Sequence, residues 1–381
     1  VLTSNHTDAM VADLRRLVEC ESPSMDIEAT TRCADLLAAL GEERLGQAPE
    51  RIRTGERTNL LWRWGPAPST RLILGHLDTV WPLGTLARWP FSVEGDRATG
   101  PGAFDMKAGL VQALYAVASL SEAERDGVAI LVTADEEIGS PETRGLIEAL
   151  AWDADEAYVP EASAPGERAN GALKIERKGV SLYSVVITGR AAHAGLEPDR
   201  GVNASIELAY QVLALATLGD PALGTTVTPT VLASGTTKNT VPARARIEVD
   251  VRVGTVAEQD RVDAAIRALR PRLDGAQVTI EGGPNRPPLE RKRTTRLFHR
   301  AQEAYAALGL CDHGDHGDLE GVAVGGASDG NFTAGVGTDT LDGIGAVGGG
   351  AHAEGEWVSV PDLWKRAALL AALVRPHDQQ R

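Results

Sequence analysis

The sequence predicts an α/β protein in which a small βαββαβ domain interrupts a larger domain built on a partly parallel sheet. Three observations carry this expectation. At 381 residues the chain is longer than one simple core usually organises. Between residues 72 and 134 a strand, a helix and a strand follow one another, the order that builds parallel pairs. From residue 182 to 280 the order becomes strand, helix, strand, strand, helix, strand, the split ferredoxin-like unit.

Taken in order, residues 7–40 read as two amphipathic helices broken at Glu21-Ser22-Pro23-Ser24, where Pro23 lacks an N–H donor and disfavours helix before it. Residues 72–74 and 128–134 are apolar strands, with a helix over 106–120 between them. In the interrupting region, 182–188, 227–232, 245–253 and 278–280 read as strands, and 202–215 and 256–269 as helices. After Pro287-Pro288 the chain returns to helix and glycine-rich loops and ends on a helix over 362–374. The resulting division is 1–174 and 287–381 for the larger domain and 175–286 for the inserted one.

Composition narrows the function. Acidic residues outnumber basic ones by 53 to 38, a net charge of -15. That argues against a nucleic-acid partner, which wants a basic stripe. No apolar stretch reaches membrane-spanning length. Cys20, Cys33 and Cys311 are scattered and odd in number, which favours a reducing compartment. With no basic-then-apolar leader pattern, the expected location is the cytoplasm; Val1 is not Met, which leaves room for a processed leader.

The chemistry lies in a series of metal-ligand residue types at strand ends and glycine-rich turns. His76 follows the apolar run 72–74, at the end of a strand where open α/β sheets place their ligands. Asp78, two residues on, points the same way and can hold the other ring N–H of His76. Asp105 lies in Gly100-Pro101-Gly102-Ala103-Phe104-Asp105; it can cap the next helix or bridge two cations, and the flanking glycines favour the metal. Asp135-Glu136-Glu137 ends an apolar strand, where three carboxylates repel one another unless cations neutralise them. We prefer Glu137 as a ligand and Glu136 as the general base for a water. Glu161 follows the short run Tyr158-Val159-Pro160, and His352 follows three glycines that make poor helix or strand. Together these residues point to a hydrolytic two-metal centre. The His/Asp-rich stretch 312–318 has no apolar strand to orient it and reads as a surface loop.

Taken together, the residues from His76 to His352 resemble the M20 metallopeptidase family, and within it the glutamate carboxypeptidase-like (carboxypeptidase G2-like) branch. The resemblance implies a zinc-peptidase-like catalytic domain with a central mixed sheet, and an inserted lid and dimerisation domain. It implies two Zn2+ per subunit, with Co2+ or Mn2+ as substitutes, held by His76, Asp105, Glu137, Glu161 and His352, with Asp105 bridging. Asp78 would orient His76 and Glu136 would be the base. In the inserted domain, the segment Gly189 to Gly195 is similar to one whose histidine, here His193, steadies the tetrahedral intermediate across a homodimer. Asn239 would touch substrate, Arg252 would grip its free α-carboxylate bidentately, and Arg286 and Lys178 would add further anion contacts. Gly326 belongs to the glycine-rich substrate loop Gly325 to Asn331. The implied partner is a small N-acyl amino acid or peptide. The expected reaction is amide hydrolysis of a glutamate carboxypeptidase type. The alternatives are an aminoacylase, deacetylase or desuccinylase, an N-carbamoyl amidohydrolase, and a metal-binding protein without turnover.

Overall fold

The computed structural model describes residues 2–167, 170–310 and 319–376. The 312–318 stretch and Cys311 lie outside the described residues. The chain divides into two compact units, one of residues 1–176, 290–324 and 328–381, the other of residues 177–289 and 325–327.

The first unit is built on an eight-stranded mixed sheet. Its centre is parallel: Val128–Thr133, Arg71–His76, Glu156–Val159 and Asp339–Asp342 lie side by side in that order. Antiparallel strands flank them, Glu50–Thr54 and Arg57–Arg63 on one side and Leu173–Arg177 on the other. Every residue of Arg71–His76 and Val128–Thr133 is buried. This is why both read as unbroken apolar runs rather than alternating ones. Their side chains still alternate between faces. Ile73 and Ile130 join a core with Leu14, Leu37, Trp62 and Leu114, whereas Leu72, Leu74 and Leu131 join one with Ile147 and Phe332.

Residues 7–40 form two helices, Thr7–Val18 and Ile27–Leu45, with the break at Pro23; Asp26 caps the second through the Ala29 N–H at 2.9 Å. The helix expected over 106–120 begins later, at Ala108. Asp105 and Met106 have non-helical backbone, and the peptide between them is cis. The N–H groups of Phe104 and Asp105 bond to the distant Glu356 rather than to helical carbonyls. A small antiparallel sheet ties 92–99 to the end of the chain by pairing Arg97–Thr99 with Trp357–Ser359. No helix among the described residues is long and apolar enough to cross a membrane.

The second unit runs Gly179–Thr188, helix Ala204–Ala216, Thr226–Ser234, Arg244–Val253, helix Val256–Arg267, Gln277–Arg286. All its strand pairs are antiparallel, and the spatial order is second, third, first, fourth. This is the ferredoxin-like arrangement. Its core gathers Tyr183, Val185, Ile187, Ile247, Val249, Val251, Val262 and Ile266.

Candidate metal centre

Three buried segments meet around one carboxylate. Asp78, fully buried, accepts the Ser24 hydroxyl at 2.6 Å and the N–H groups of Glu136 and Glu137 at 3.2 Å each. The end of the Arg71–His76 strand, the loop after the first helix and the turn Glu136–Ile138 are thereby pinned together. The second ring nitrogen of His76 bonds to the main-chain carbonyl of Asp78 at 2.9 Å, with the nearer carboxylate oxygen at 3.5 Å. The sequence reading gave that bond to the carboxylate. The carboxylate is already engaged by three donors, so the carbonyl fixes the tautomer instead.

Around Asp105 the predicted ligands fall into two halves. Its Oδ1 lies 3.5 Å from His76 Nε2, which is also 3.4 Å from Glu161 Oε1. Its Oδ2 lies 3.3 Å from His352 Nε2, which is 3.2 Å from Glu137 Oε2. Ligand atoms of His76, Glu136 and Glu161 also lie within 4.8 Å of one another. Each oxygen of Asp105 thus faces its own histidine, and each histidine its own glutamate.

The remaining groups hold this geometry. Glu161 is reached because Gly109 and Gly345 let their backbones approach; a Cβ at either would sit 1.8 or 2.1 Å from the Pro160 carbonyl. His352, half-exposed, has φ +61°, a left-handed conformation that costs a non-glycine residue roughly 1–2 kcal/mol. A strained backbone at a candidate ligand is the kind of outlier that clusters at functional sites. Asp135 caps the next helix region instead, accepting the Glu142 N–H at 2.9 Å and the Thr143 hydroxyl.

Two buried carboxylates that the sequence reading did not single out support the centre. Glu356 takes the N–H groups of Phe104 and Asp105 on Oε1, at 2.6 and 3.0 Å, and those of Gly102 and the Trp81 indole on Oε2, at 3.1 and 3.0 Å. Asp329 takes the Ser140 hydroxyl and, at 3.2 Å, the Thr133 hydroxyl, bracing the turn that carries Glu136 and Glu137. Lys174, 3.8 Å from Glu161, is the nearby cation.

The electrostatics are those of a site that needs positive charge. Burial pushes the His76 imidazole down, but Asp105, Asp78 and Glu161 outweigh it and hold it well above the usual histidine value. Asp105 and Glu137 raise His352 to about 10. Burial pushes Asp105 up, yet the two imidazoles hold it below the usual carboxylate range. Burial, with the Asp105 charge, raises Glu137. A dication would replace the protons these groups otherwise share. The donor set fits one: bonds of about 2.0–2.1 Å in a tetrahedron put ligand atoms about 3.3 Å apart, against the 3.2–3.5 Å found here. His76 Nε2 and Glu137 Oε1 are buried without hydrogen-bond partners, as atoms reserved for a metal are.

In the second unit, His193 Nδ1 accepts the N–H groups of Gly195 and Leu196 at 3.2 and 3.1 Å. In the neutral ring this puts the proton on Nε2. Asn239 is beside it, its carbonyl accepting the Ala194 N–H at 2.9 Å. Arg252 spends two N–H groups on Asp250, at 2.8 and 2.9 Å. Lys178 donates to the Gly224 carbonyl at 2.5 Å, Arg286 is largely buried, and Gly326 accepts from Arg177 at 3.1 Å.

A mixed α/β sheet whose strand ends gather two histidines and three carboxylates, backed by a further glutamate, is the architecture of a metal-dependent hydrolase. The chain belongs to peptidase family M20/M25/M40, whose model matches residues 72–375. It is 29% identical to carboxypeptidase G2 of Pseudomonas sp. (strain RS-16), over 96% of this chain and 88% of that protein. To a succinyl-diaminopimelate desuccinylase of Methylobacterium nodulans it is 31% identical, over 71% of this chain and 72% of the relative. Its fold matches an M20 family metallo-carboxypeptidase of Sulfolobus solfataricus with TM-score 0.73 at 20% identity, covering 96% and 98% of the two chains. It also matches a dinuclear metal-binding M20 peptidase of Bacillus subtilis with TM-score 0.65 at 15% identity, covering 98% of each. At these identities the two structures speak for the fold alone.

Proposed function

We propose that this enzyme hydrolyses the amide bond of N-acyl or N-peptidyl amino acids at a dinuclear centre, as a glutamate carboxypeptidase-type exopeptidase. The observation that carries the reading is the division of Asp105 between His76 with Glu161 and His352 with Glu137. Two Zn2+ suit the donors, with Co2+ or Mn2+ as substitutes. When bound, such a pair acidifies a water and polarises the scissile carbonyl.

The protein's own groups do the rest. Glu136, whose N–H is fixed by Asp78, takes a proton from the attacking water as oxygen bonds to the carbonyl carbon. The same carboxyl returns that proton to the amine nitrogen as the C–N bond breaks. His193, with its proton on Nε2, would donate across the homodimer to the developing oxyanion. Asn239, Arg252, Arg286, Lys178 and Gly326 would bind substrate. Because Arg252 is forked onto Asp250, a substrate carboxylate must join or displace that pair.

The unit of residues 177–289 is the proposed lid and dimerisation domain. Thr226–Ser234 is an edge strand with Val231 and Leu232 exposed, and the helix Ala204–Ala216 exposes Ile206, Tyr210 and Leu213 on one stripe. Leu213→Asp should convert a dimer to a monomer in sedimentation; an unchanged sedimentation coefficient would remove this interface. The odd number of cysteines and the lack of any CxxC pair support a reducing, cytoplasmic location. The desuccinylase relative keeps deacylation of an N-acyl amino acid as the second reading. The decisive experiment is Glu136→Gln assayed on an N-acyl amino acid panel with metal counted. Two metals retained and turnover lowered by at least about 10³-fold is the expected result; ordinary turnover removes Glu136 as the base.

A further inference from the structure

Two thiols and an ammonium meet at the root of the loop that braces Asp78. Cys20 follows the first helix, and Cys33 lies within the second, Ile27–Leu45. Their side chains are hydrogen-bonded to each other, Cys33 buried and Cys20 half-buried. Beside them lies Lys107, 1% exposed, whose ammonium donates to the carbonyls of Leu17 and Cys20 at 2.9 and 2.8 Å. Among the described residues it has no carboxylate in ion-pair contact. A buried charge without a counter-ion is costly. A thiolate in the cysteine pair supplies one.

The pair accordingly holds one proton between two sulfurs. The hydrogen bond from Cys20, aided by the Lys107 charge, lowers Cys33 to about 6 against its burial, and the same bond raises Cys20. Arg32 adds a favourable charge on the Cys20 side, and the Asp78 carboxylate opposes on the Cys33 side. The hydrolysis described above uses neither thiol, yet both adjoin its machinery. Ser22 and Ser24, just beyond Cys20, hold the Leu77 carbonyl at 2.7 Å and the Asp78 carboxylate at 2.6 Å. Lys107 stands two residues after Asp105.

We propose that Cys20 and Cys33 are a modification site for hydroperoxides, closing to a disulfide that loosens the metal centre. Hydrogen peroxide reaches Cys20, the outer member. The shared proton passes to Cys33, and the Cys20 sulfur bonds to one peroxide oxygen as the O–O bond breaks. The departing hydroxide takes a solvent proton and leaves as water. Cys33 then attacks that sulfur; the S–S bond forms, the S–O bond breaks, and the Cys33 proton departs with the hydroxide as a second water. Two thiols thus lose two electrons, and one peroxide is reduced to two waters. The new bond draws the sulfurs closer than a hydrogen bond holds them, pulling on the loop that carries Ser22 and Ser24. It also discharges the thiolate, so the Lys107 ammonium loses its counter-ion and the backbone beside Asp105 must readjust. Transient disulfides of this sensing kind occur in reducing compartments.

The test uses the whole chain with Cys311→Ser, which leaves these two cysteines alone. Hydrogen peroxide should remove the two thiol hydrogens from the mass and join Cys20 and Cys33 in one cross-linked tryptic pair. Zinc affinity against a competing chelator should fall about tenfold or more on oxidation and return after a phosphine reductant. Cys20→Ala in the same background should keep its zinc affinity through the treatment. The rate of closure should be level above about pH 7, because the thiolate forms near 6. Four results would each overturn the proposal: an unaltered mass, sulfonic acid without a cross-link, a rate still climbing through about 8.5 as for ordinary thiols, or a disulfide with unchanged zinc affinity. Reduced protein that binds no zinc would sink the metal-centre reading instead, and the mass would still report whether the disulfide forms.

Discussion

Replacing Glu356 by Gln tests whether the bridging carboxylate is held from behind. Glu356 is fully buried and receives four N–H donors, two on each oxygen. Glutamine keeps one acceptor oxygen and turns an NH2 towards the other pair, so two donors lose their partner whichever way the amide is placed. Hydrogen bonds to a charged acceptor contribute about 1.5–3 kcal/mol each, which puts the gross loss at about 3–6 kcal/mol. Burial already raises the Glu356 carboxyl above its usual range, so removing its charge recovers part of that, and a net loss of about 3 kcal/mol is expected. In metal-free protein this should lower the midpoint of urea unfolding and drop Tm by about 4 °C. Because the Asp105 N–H is one of the released donors, metal affinity measured against a competing chelator should weaken about 10–100-fold. Wild-type stability together with wild-type metal affinity in Glu356→Gln would refute the argument that this strap positions Asp105.

The histidines give a pH test. Both have folded values raised above the ordinary 6.5, His352 to about 10, so their contribution is fully present below pH 6.5 and is lost as pH rises towards 10. Metal-free protein should therefore lose Tm between pH 6.5 and 10 while zinc-loaded protein does not; parallel curves would contradict the shared-proton picture. Asp329→Asn or Ser140→Ala should lower kcat roughly 10–100-fold with both metals retained, since these groups brace the turn that carries Glu136. Loss of metal, or unchanged kcat, would count against that role.

How far the site was legible depends on where each signal resides. His76 and the 135–137 triplet stand at the ends of wholly buried strands, and such runs announce themselves within their own six residues. The βαββαβ order was equally plain, because each of its elements carries its own periodicity. Glu356 and Asp329 were not visible, since their partners lie 251–275 and 189–196 residues away and nothing local marks them. Glu356 does sit four residues after His352 in the same glycine-rich loop, the one clue available. The late start of the helix at Ala108 has the same origin: a distant carboxylate captured the N–H groups that a local helix would have used. Likewise the Arg252–Asp250 fork depends on two side chains meeting on one strand face, which sequence spacing permits but does not require.

The strap from Glu356 to Asp105 has a consequence for how the enzyme is made. A ribosome delivers His76, Asp105, Glu137 and Glu161 long before His352 and Glu356. At about 5–20 residues per second, the gap between residues 137 and 352 lasts roughly 10–40 s. Through that interval the early carboxylates crowd together with one imidazole and neither later clamp. Ion capture at full strength must therefore wait until residues 352–356 have emerged. An interrupted translation product stopping before residue 352 would keep most of the sheet yet lack both the second histidine and the carboxylate that holds the Phe104 and Asp105 N–H groups.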